Sequence, residues 1–265
     1  MRITVLGKSP AWQDAGGACS GYLIEADGCC VLLDCGCGVF GKLRRYVHYV
    51  DVDAVVISHL HADHILDLVP FASGLRYAPR QQPVPVAGNP GTDHPARPRL
   101  FAPPGALQAF SALSAAGAMT PDHIELAFAV TVYDPADALA IGDLAVRFQP
   151  VPHFIPANAV EFAGDGARLT FSADCGPNEE LCAFARDTDL LLIEATLPRP
   201  ERDGVRGHLT PFEAGECGAA AGARRVVLTH FSDELDVDWA REEAARAFGR
   251  TVDAASDGAT YEVGG

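Results

Sequence analysis

Two patterns of apolar residues alternate along this chain, and the boundaries between them predict most of its elements. Short continuous apolar runs that end at glycine or polar residues read as buried strands. They cover 3–7, 21–26, 29–34, 54–57, 99–102, 158–163, 168–173, 190–195 and 225–229. Asp27-Gly28, between two such runs, predicts a tight hairpin turn. Ile124, Leu126 and Phe128 alternate, which predicts a strand over 124–133, and 144–151 reads as another. Elsewhere the spacing is helical. Val39, Leu43 and Val47 share one face of a helix over 38–48, and the segment from Ile65 to about Tyr77 follows the same period. Further helices are predicted over 106–117, 179–186, 211–222 and 237–248, followed by a short tail.

One stretch breaks the alternation. Six prolines and two glycines crowd 79–99, which rules out a helix and predicts a long loop or extended insertion. The rest reads as one domain over 1–265, with no repeat of short fixed period. Strand-rich segments with helices recur in both halves, the pattern of two sheets face to face with helices outside, an α/β class.

Composition narrows the partners. Hydrophobic residues make up 48% of the 265, enough for a sizeable core, and formal charge is -15. Phosphate contacts dominate nucleic-acid affinity, so this balance argues against a large RNA or DNA footprint. No apolar run reaches membrane-spanning length, and the first residues read as a strand rather than a signal peptide, so a cytoplasmic location is expected. The eight cysteines are then expected as reduced thiols. Cys35 and Cys37 bracket Gly36, but no second pair lies at zinc-finger spacing.

The candidate chemistry concentrates in His59-Leu60-His61-Ala62-Asp63-His64, just after the 54–57 run. In extended chain, residues two apart point the same way, so His59 and His61 can share one ion. Asp63 and His64, at the mouth of the next helix, can offer a second set of nitrogen and oxygen donors suited to zinc. The alternative is a helix-capping Asp63 among polar loop histidines. His153, Asp174 and His230 share the position of His59, each just beyond an apolar strand. Strand ends gathered at one sheet edge are where α/β folds place chemistry. Glu194 ends another strand and is a candidate to orient an imidazole. His94, in the proline-rich loop, is a weaker candidate for touching substrate, while His48 and His123 read as surface residues.

These residues resemble the metallo-β-lactamase fold, and within it the ribonuclease Z-like and cyclic-nucleotide phosphodiesterase-like branch. The likeness is carried by Asp34 in Leu33-Asp34-Cys35-Gly36, the His59–His64 motif, His153, Asp174, Gly207-His208-Leu209-Thr210 and Thr229-His230-Phe231. It implies a four-layer αββα sandwich with two divalent ions, usually zinc, with manganese the other candidate. His59, His61 and His153 would hold the first ion, Asp63, His64 and His230 the second, and Asp174 would bridge them. The resemblance makes His208 the residue that meets the scissile phosphate or leaving oxygen, and Asp34 the buried carboxylate that orders the motif loop. Two ions so held can stabilise both the attacking and leaving oxygens of an in-line displacement. Asp63 is also a candidate to take the proton of the attacking water.

One departure matters. Members that process transfer RNA carry a long protruding arm between the positions of His153 and Asp174, and residues 154–173 leave room only for two short strands and a turn. The expected substrate is therefore a small phosphodiester, such as a cyclic nucleotide or another cyclic phosphate, with a homodimer left open. The alternatives are a tRNA 3′-processing endonuclease, a carbon ester, thioester or lactam hydrolase on the same fold, and a non-catalytic metal-binding scaffold.

Overall fold

The computed structural model describes residues 1–26 and 28–264. The first sheet begins with β1 (Arg2–Gly7), β2 (Gly21–Ala26) and β3 (Cys29–Leu33). The chain then runs through α1 (Val39–Leu43), β4 (Ala54–Val56), α2 (Ala62–Ile65), α3 (Leu68–Tyr77) and β5 (Arg99–Ala102). Next come α4 (Ala106–Ala116), α5 (His123–Ala127) and β6 (Ala129–Val132). The second sheet opens with β7 (Leu139–Ile141), β8 (Leu144–Val151), β9 (Ala157–Gly164) and β10 (Ala167–Phe171). It continues through α6 (Glu179–Phe184), β11 (Leu190–Glu194), α7 (Pro211–Ala221), β12 (Arg225–Thr229), α8 (Val237–Phe248) and β13 (Asp253–Ala254). A last strand, β14 (Thr260–Glu262), crosses back to pair with β1.

Each sheet has seven strands, ordered β14-β1-β2-β3-β4-β5-β6 and β13-β12-β11-β10-β9-β8-β7. Both follow one scheme. Antiparallel hairpins fill one half, and parallel strands joined through helices fill the other.

The alternation of side chains along the strands builds the layers. Val31, Leu33, Ala54 and Val56 face the core between the sheets, together with Leu190 and Leu192 from the opposite sheet. Their neighbours Leu32 and Val55 turn outward onto a core shared with α1, α3, α4 and α5. Leu191 and Ile193 turn outward beneath α6, α7 and α8. Strands with apolar residues on both faces can only sit in the middle layers, so the order is helix, sheet, sheet, helix. This is the expected αββα sandwich.

Several local expectations change. Residues 124–133 are not one strand: His123–Ala127 is helical and only Ala129–Val132 pairs in the sheet. The four-residue spacing of Ile124 and Phe128 puts both in the helix-side core, while Leu126 is half exposed. The helix over 38–48 ends at Leu43. The helix expected to run to Tyr77 breaks between Ile65 and Leu68, where the Asp67 carboxylate accepts from Phe40 N–H at 2.9 Å. The tail holds β13 and β14, and β7 was not anticipated; all three are too short to leave a pattern. The Asp27 half of the expected turn lies outside the described residues, and Gly28 takes the left-handed φ of 76° that such a turn requires. Of the expected loop, 79–98 is loop with one 3₁₀ turn at Pro79–Gln81, and Arg99 already opens β5. Gln81, buried, ties that loop to Leu75 and Ala96.

Candidate metal centre

The ends of β4, β8, β10 and β12 meet at one edge of the sandwich. The chain turns there without glycine: Asp34, Ala173 and His230 have φ of 56°, 53° and 54°. Left-handed backbone at such residues costs about 1–2 kcal/mol each, so the surrounding structure has to enforce it. In each case the turn comes directly at or before a side chain aimed into the site.

The two sheets are stitched together at this edge. His59 pairs in an isolated bridge with Ala157 at the start of β9. Asn158 Nδ2, from β9, donates to the Tyr133 hydroxyl at 3.3 Å, and the Tyr22 hydroxyl lies 2.7 Å from Thr229 Oγ1 across the layers.

Seven side chains converge. One set is His59, His61, His153 and Asp174; the other is Asp63, His64, His230 and the same Asp174. Within each set every residue offers a donor atom within 4.8 Å of the others. Asp174 Oδ2 is the hub. It lies 3.2 Å from His230 Nε2, 3.4 Å from His64 Nε2, 3.7 Å from His59 Nε2 and 3.9 Å from His153 Nε2.

The hydrogen bonds around the cluster assign the imidazole tautomers. His64 Nδ1 donates to Asp34 Oδ2 at 2.7 Å, and His153 Nδ1 donates to the Gly207 carbonyl at 2.7 Å. Ser58 Oγ donates to Asp34 Oδ2 at 2.8 Å, which leaves it to accept from His59 Nδ1 at 3.1 Å. Thr196 Oγ1 donates to Glu194 Oε2 at 2.7 Å and accepts from His230 Nδ1 at 2.9 Å. Each of these four rings therefore turns its Nε2 inward. His61 Nδ1 faces His59 Nε2 at 3.2 Å and His153 Nε2 at 3.0 Å. One proton on His61 Nδ1 satisfies only one of these two contacts, whereas a cation between the three nitrogens satisfies all of them. His64 Nε2 and Asp174 Oδ1 are also buried with no hydrogen-bond partner among the described residues. The residues thus fit a pair of metal sites, and backing of each ligand by a fixed acceptor is the usual support of a histidine metal ligand.

Electrostatics agree. Burial lowers the pKa of His59, His61 and His153, so these rings stay neutral and available as ligands. Burial alone would raise the pKa of Asp63 and Asp174, but the facing histidines hold both carboxylates ionised and below their ordinary range. His64 is raised in spite of its burial, because Asp174 and Asp34 lie on its two sides.

His208 sits beside the seven rather than among them. Its ring stacks on His230 at 5.5 Å between centroids, and its Nδ1 donates to Glu194 Oε1 at 2.9 Å. Burial opposes its charge, but Glu194 and Asp174 raise its pKa to about 9. Glu194, fully buried, also accepts from Cys175 and Leu209 N–H groups, which fixes the segments that carry Asp174 and His208. The orienting role expected of Glu194 is thus visible in its bond to His208.

Other candidates fall away. His94 is exposed, and its contact is with Thr92 rather than with any site residue. His48 is exposed as expected. His123, expected at the surface, is instead fully buried between Ser73 and Arg76. Cys35 and Cys37 join no donor cluster among the described residues. Sequence reasoning missed Ser58 and Thr196, which set the tautomers of His59 and His230. Their only signal was adjacency to His59 and Glu194.

The pocket over the cluster has a volume of about 350 Å³, with His61, Asp63, Asp174, His208 and His230 on its floor and Pro10, Ala11, Trp12 and Phe154 at its rim. A larger cavity of about 500 Å³ lies between α6 and α7. No donor cluster faces it among the described residues, so the chemistry belongs to the smaller pocket.

Residues 30–231 match the model of the beta-lactamase superfamily domain. The chain belongs to that superfamily. It is similar to the probable metallo-hydrolase YhfI of Bacillus subtilis, with 28% identity over 99% of this chain and all of the relative. The crystal structure of YhfI superposes with a TM-score of 0.84 over 98% of this chain and 99% of that one, at 25% identity. The Mycobacterium tuberculosis protein Rv1339 is 30% identical over 99% of this chain and 92% of its own length. The ribonuclease Z of Myxococcus xanthus is 28% identical over 99% and 98%. With the donor clusters, this makes the chain a metallo-hydrolase of the beta-lactamase superfamily. The ribonuclease Z-like branch expected from the motifs is among its relatives, and among the described residues no helix is long and apolar enough to cross a membrane.

Proposed function

We propose that this superfamily hydrolase cleaves phosphodiester bonds in small substrates, such as a cyclic nucleotide or another cyclic phosphate, and does so with two divalent cations, zinc or manganese. His59, His61 and His153 would hold one, Asp63, His64 and His230 the other, with Asp174 between them. Bound there, the cations would supply a hydroxide at neutral pH and charge for the attacking and leaving oxygens.

The observation that carries the reading is His208, an imidazole kept protonated by a buried Glu194 at the edge of the donor cluster. A protonated ring in that place suits the extra negative charge of a phosphorane and the alkoxide that leaves it. Hydrolysis of a carbon ester or lactam has less use for it. Asp63 would ligate and is also the candidate to accept the proton of the attacking water.

The likeness to ribonuclease Z supports a second reading, tRNA 3′ processing. Two features favour the small substrate. Residues 154–173 are taken up by the short pair β9 and β10, and the net charge is -15. The free thiols of all eight cysteines fit a cytoplasmic setting.

The test is turnover by the metal-loaded protein of cyclic nucleotides, bis(p-nitrophenyl) phosphate, a precursor tRNA and a thioester. Hydrolysis of the cyclic nucleotides is expected. Preference for precursor tRNA would install the second reading, and thioester turnover alone would retire both.

A further inference from the structure

The floor of the metal pocket accounts for a phosphate, but its rim is of another character. Trp12 and Phe154 both line it, and each leaves 53% of its surface exposed. No lysine or arginine joins them there. An exposed aromatic on a mobile loop would mean little; here the Phe154 ring is packed and the loop that carries Trp12 is tied down.

Phe154 follows His153 directly. Its ring lies 5.0 Å from that of His153 and 5.6 Å, edge on, from that of His208. It rests on Gly207, where even a Cβ would come within 2.5 Å of the ring. Only glycine at 207 leaves the ring in this place. Trp12 belongs to the loop after β1. Lys8 and Asp14 form an ion pair across that loop. Lys8 Nζ donates to the Phe231 carbonyl at 2.8 Å, and Asp233 N–H donates to Asp14 at 2.9 Å. The Trp12 loop is thereby fastened to the segment that carries His230.

We propose that Trp12 and Phe154 form a stacking platform for the nucleobase of a nucleotide whose phosphate lies over the metal donors. The inference rests on the phosphodiesterase reading and names the part of the substrate that reading leaves open. Two uncharged aromatic side chains at the rim of a phosphate site match a planar heteroaromatic ring joined to a phosphate by one sugar. Stacking is tolerant of base identity, because every base has a π-face. Adenine and guanine substrates should therefore bind alike, and a sugar phosphate without a base should bind poorly.

The experiment compares adenosine 5′-monophosphate with ribose 5-phosphate on the metal-loaded protein by calorimetry. The chain has two tryptophans, so a Trp239→Phe background also lets Trp12 fluorescence report the bound base. The wild type should prefer the nucleotide by roughly 5- to 150-fold in Kd, the range of one stacked base. Trp12→Ala and Phe154→Ala should each cut that preference, with ribose 5-phosphate affinity and metal content unchanged. Quenching of Trp12 by the nucleotide but not by the sugar phosphate would support the platform. Equal affinity for the two probes in the wild type, or a preference that survives both substitutions, would overturn it. The turnover assay stays separate. Nucleotide preference without hydrolysis of any diester would keep the platform and remove the phosphodiesterase reading, while diester hydrolysis without base preference would do the reverse.

Discussion

The two sheets contribute to the metal centre in opposite ways. The first delivers His59, His61, Asp63 and His64 from six consecutive residues at the end of β4. The second delivers His153, Asp174 and His230 from three separate strand ends, with His208 from a loop. A compact motif sets its own geometry: an extended stretch aligns His59 with His61, and one helical turn presents Asp63 and His64. The dispersed donors depend on register. They converge because β8, β10 and β12 run in one direction and so end at the same edge. The first half of the site is thus a property of local chain, the second of topology.

Asp174 is the residue on which the two contributions join, and its removal should have the largest effect. Asp174→Ala takes the shared donor from both clusters, so hydrolysis should fall to background and elemental analysis should find both ions weakly retained. His61→Ala removes a donor from only one cluster and should leave about one ion per chain, given that each set needs its own ligands. The thermal transition of Asp174→Ala should stay close to wild type, since the residue lies at the rim of the core. Loss of one ion only from Asp174→Ala would show that it does not bridge.

His208→Ala comes next, and should slow the chemical step by roughly 10²–10⁴-fold with both ions kept. The loss should shrink for a p-nitrophenyl ester, whose leaving group needs little protonation, and stay large for a cyclic phosphate with an alkoxide leaving group. Equal losses on both would make His208 a charge stabiliser rather than an acid. Lost metal would make it a ligand.

The same contrast explains what could be read in the sequence. The motif could be read because all its donors lie in one window, and the layers because strands such as Leu190–Glu194 carry apolar residues on both faces. His153, Asp174 and His230 could be read only as residues beyond apolar runs, and that proved enough to group them. The left-handed turns at Ala173 and His230 left no trace, since neither is glycine or asparagine. Thr196 and Ser58 were invisible because a hydroxyl that fixes a tautomer has no spacing rule. His123 was misread for a related reason: its burial depends on Ser73 and Arg76, which lie far away in sequence.

Asp34 tests how self-sufficient the motif is. It lies outside the six residues, yet its carboxylate accepts from Ser58 N–H, Ser58 Oγ and His64 Nδ1. Asp34→Asn keeps the shape but places an amide donor against donors. Metal affinity should drop by roughly 10–100-fold, the usual effect of losing a partner that orients a ligand. Wild-type affinity, measured by competition with a chelator, would mean that the motif holds its geometry alone.

The smallest effect is expected from Glu194→Gln, and it reads out as a shift along pH rather than a loss of rate. Glu194 raises the His208 pKa from 6.5 to about 9, against the pull of burial. A raised histidine stabilises the fold fully below 6.5, and that contribution fades as pH rises through about 9. The same protonation supports catalysis, so kcat should decline on the alkaline side as His208 loses its proton. Bound cations repel the imidazolium and draw that limb down from about 9 in the loaded enzyme. The substituted amide would keep an acceptor for the ring but no charge, leaving burial less opposed. The alkaline limb of kcat should then move to lower pH, with the rate at pH 6 nearest to wild type. An alkaline limb that stays in place in Glu194→Gln would show that another group titrates there, and would separate Glu194 from the proton on His208.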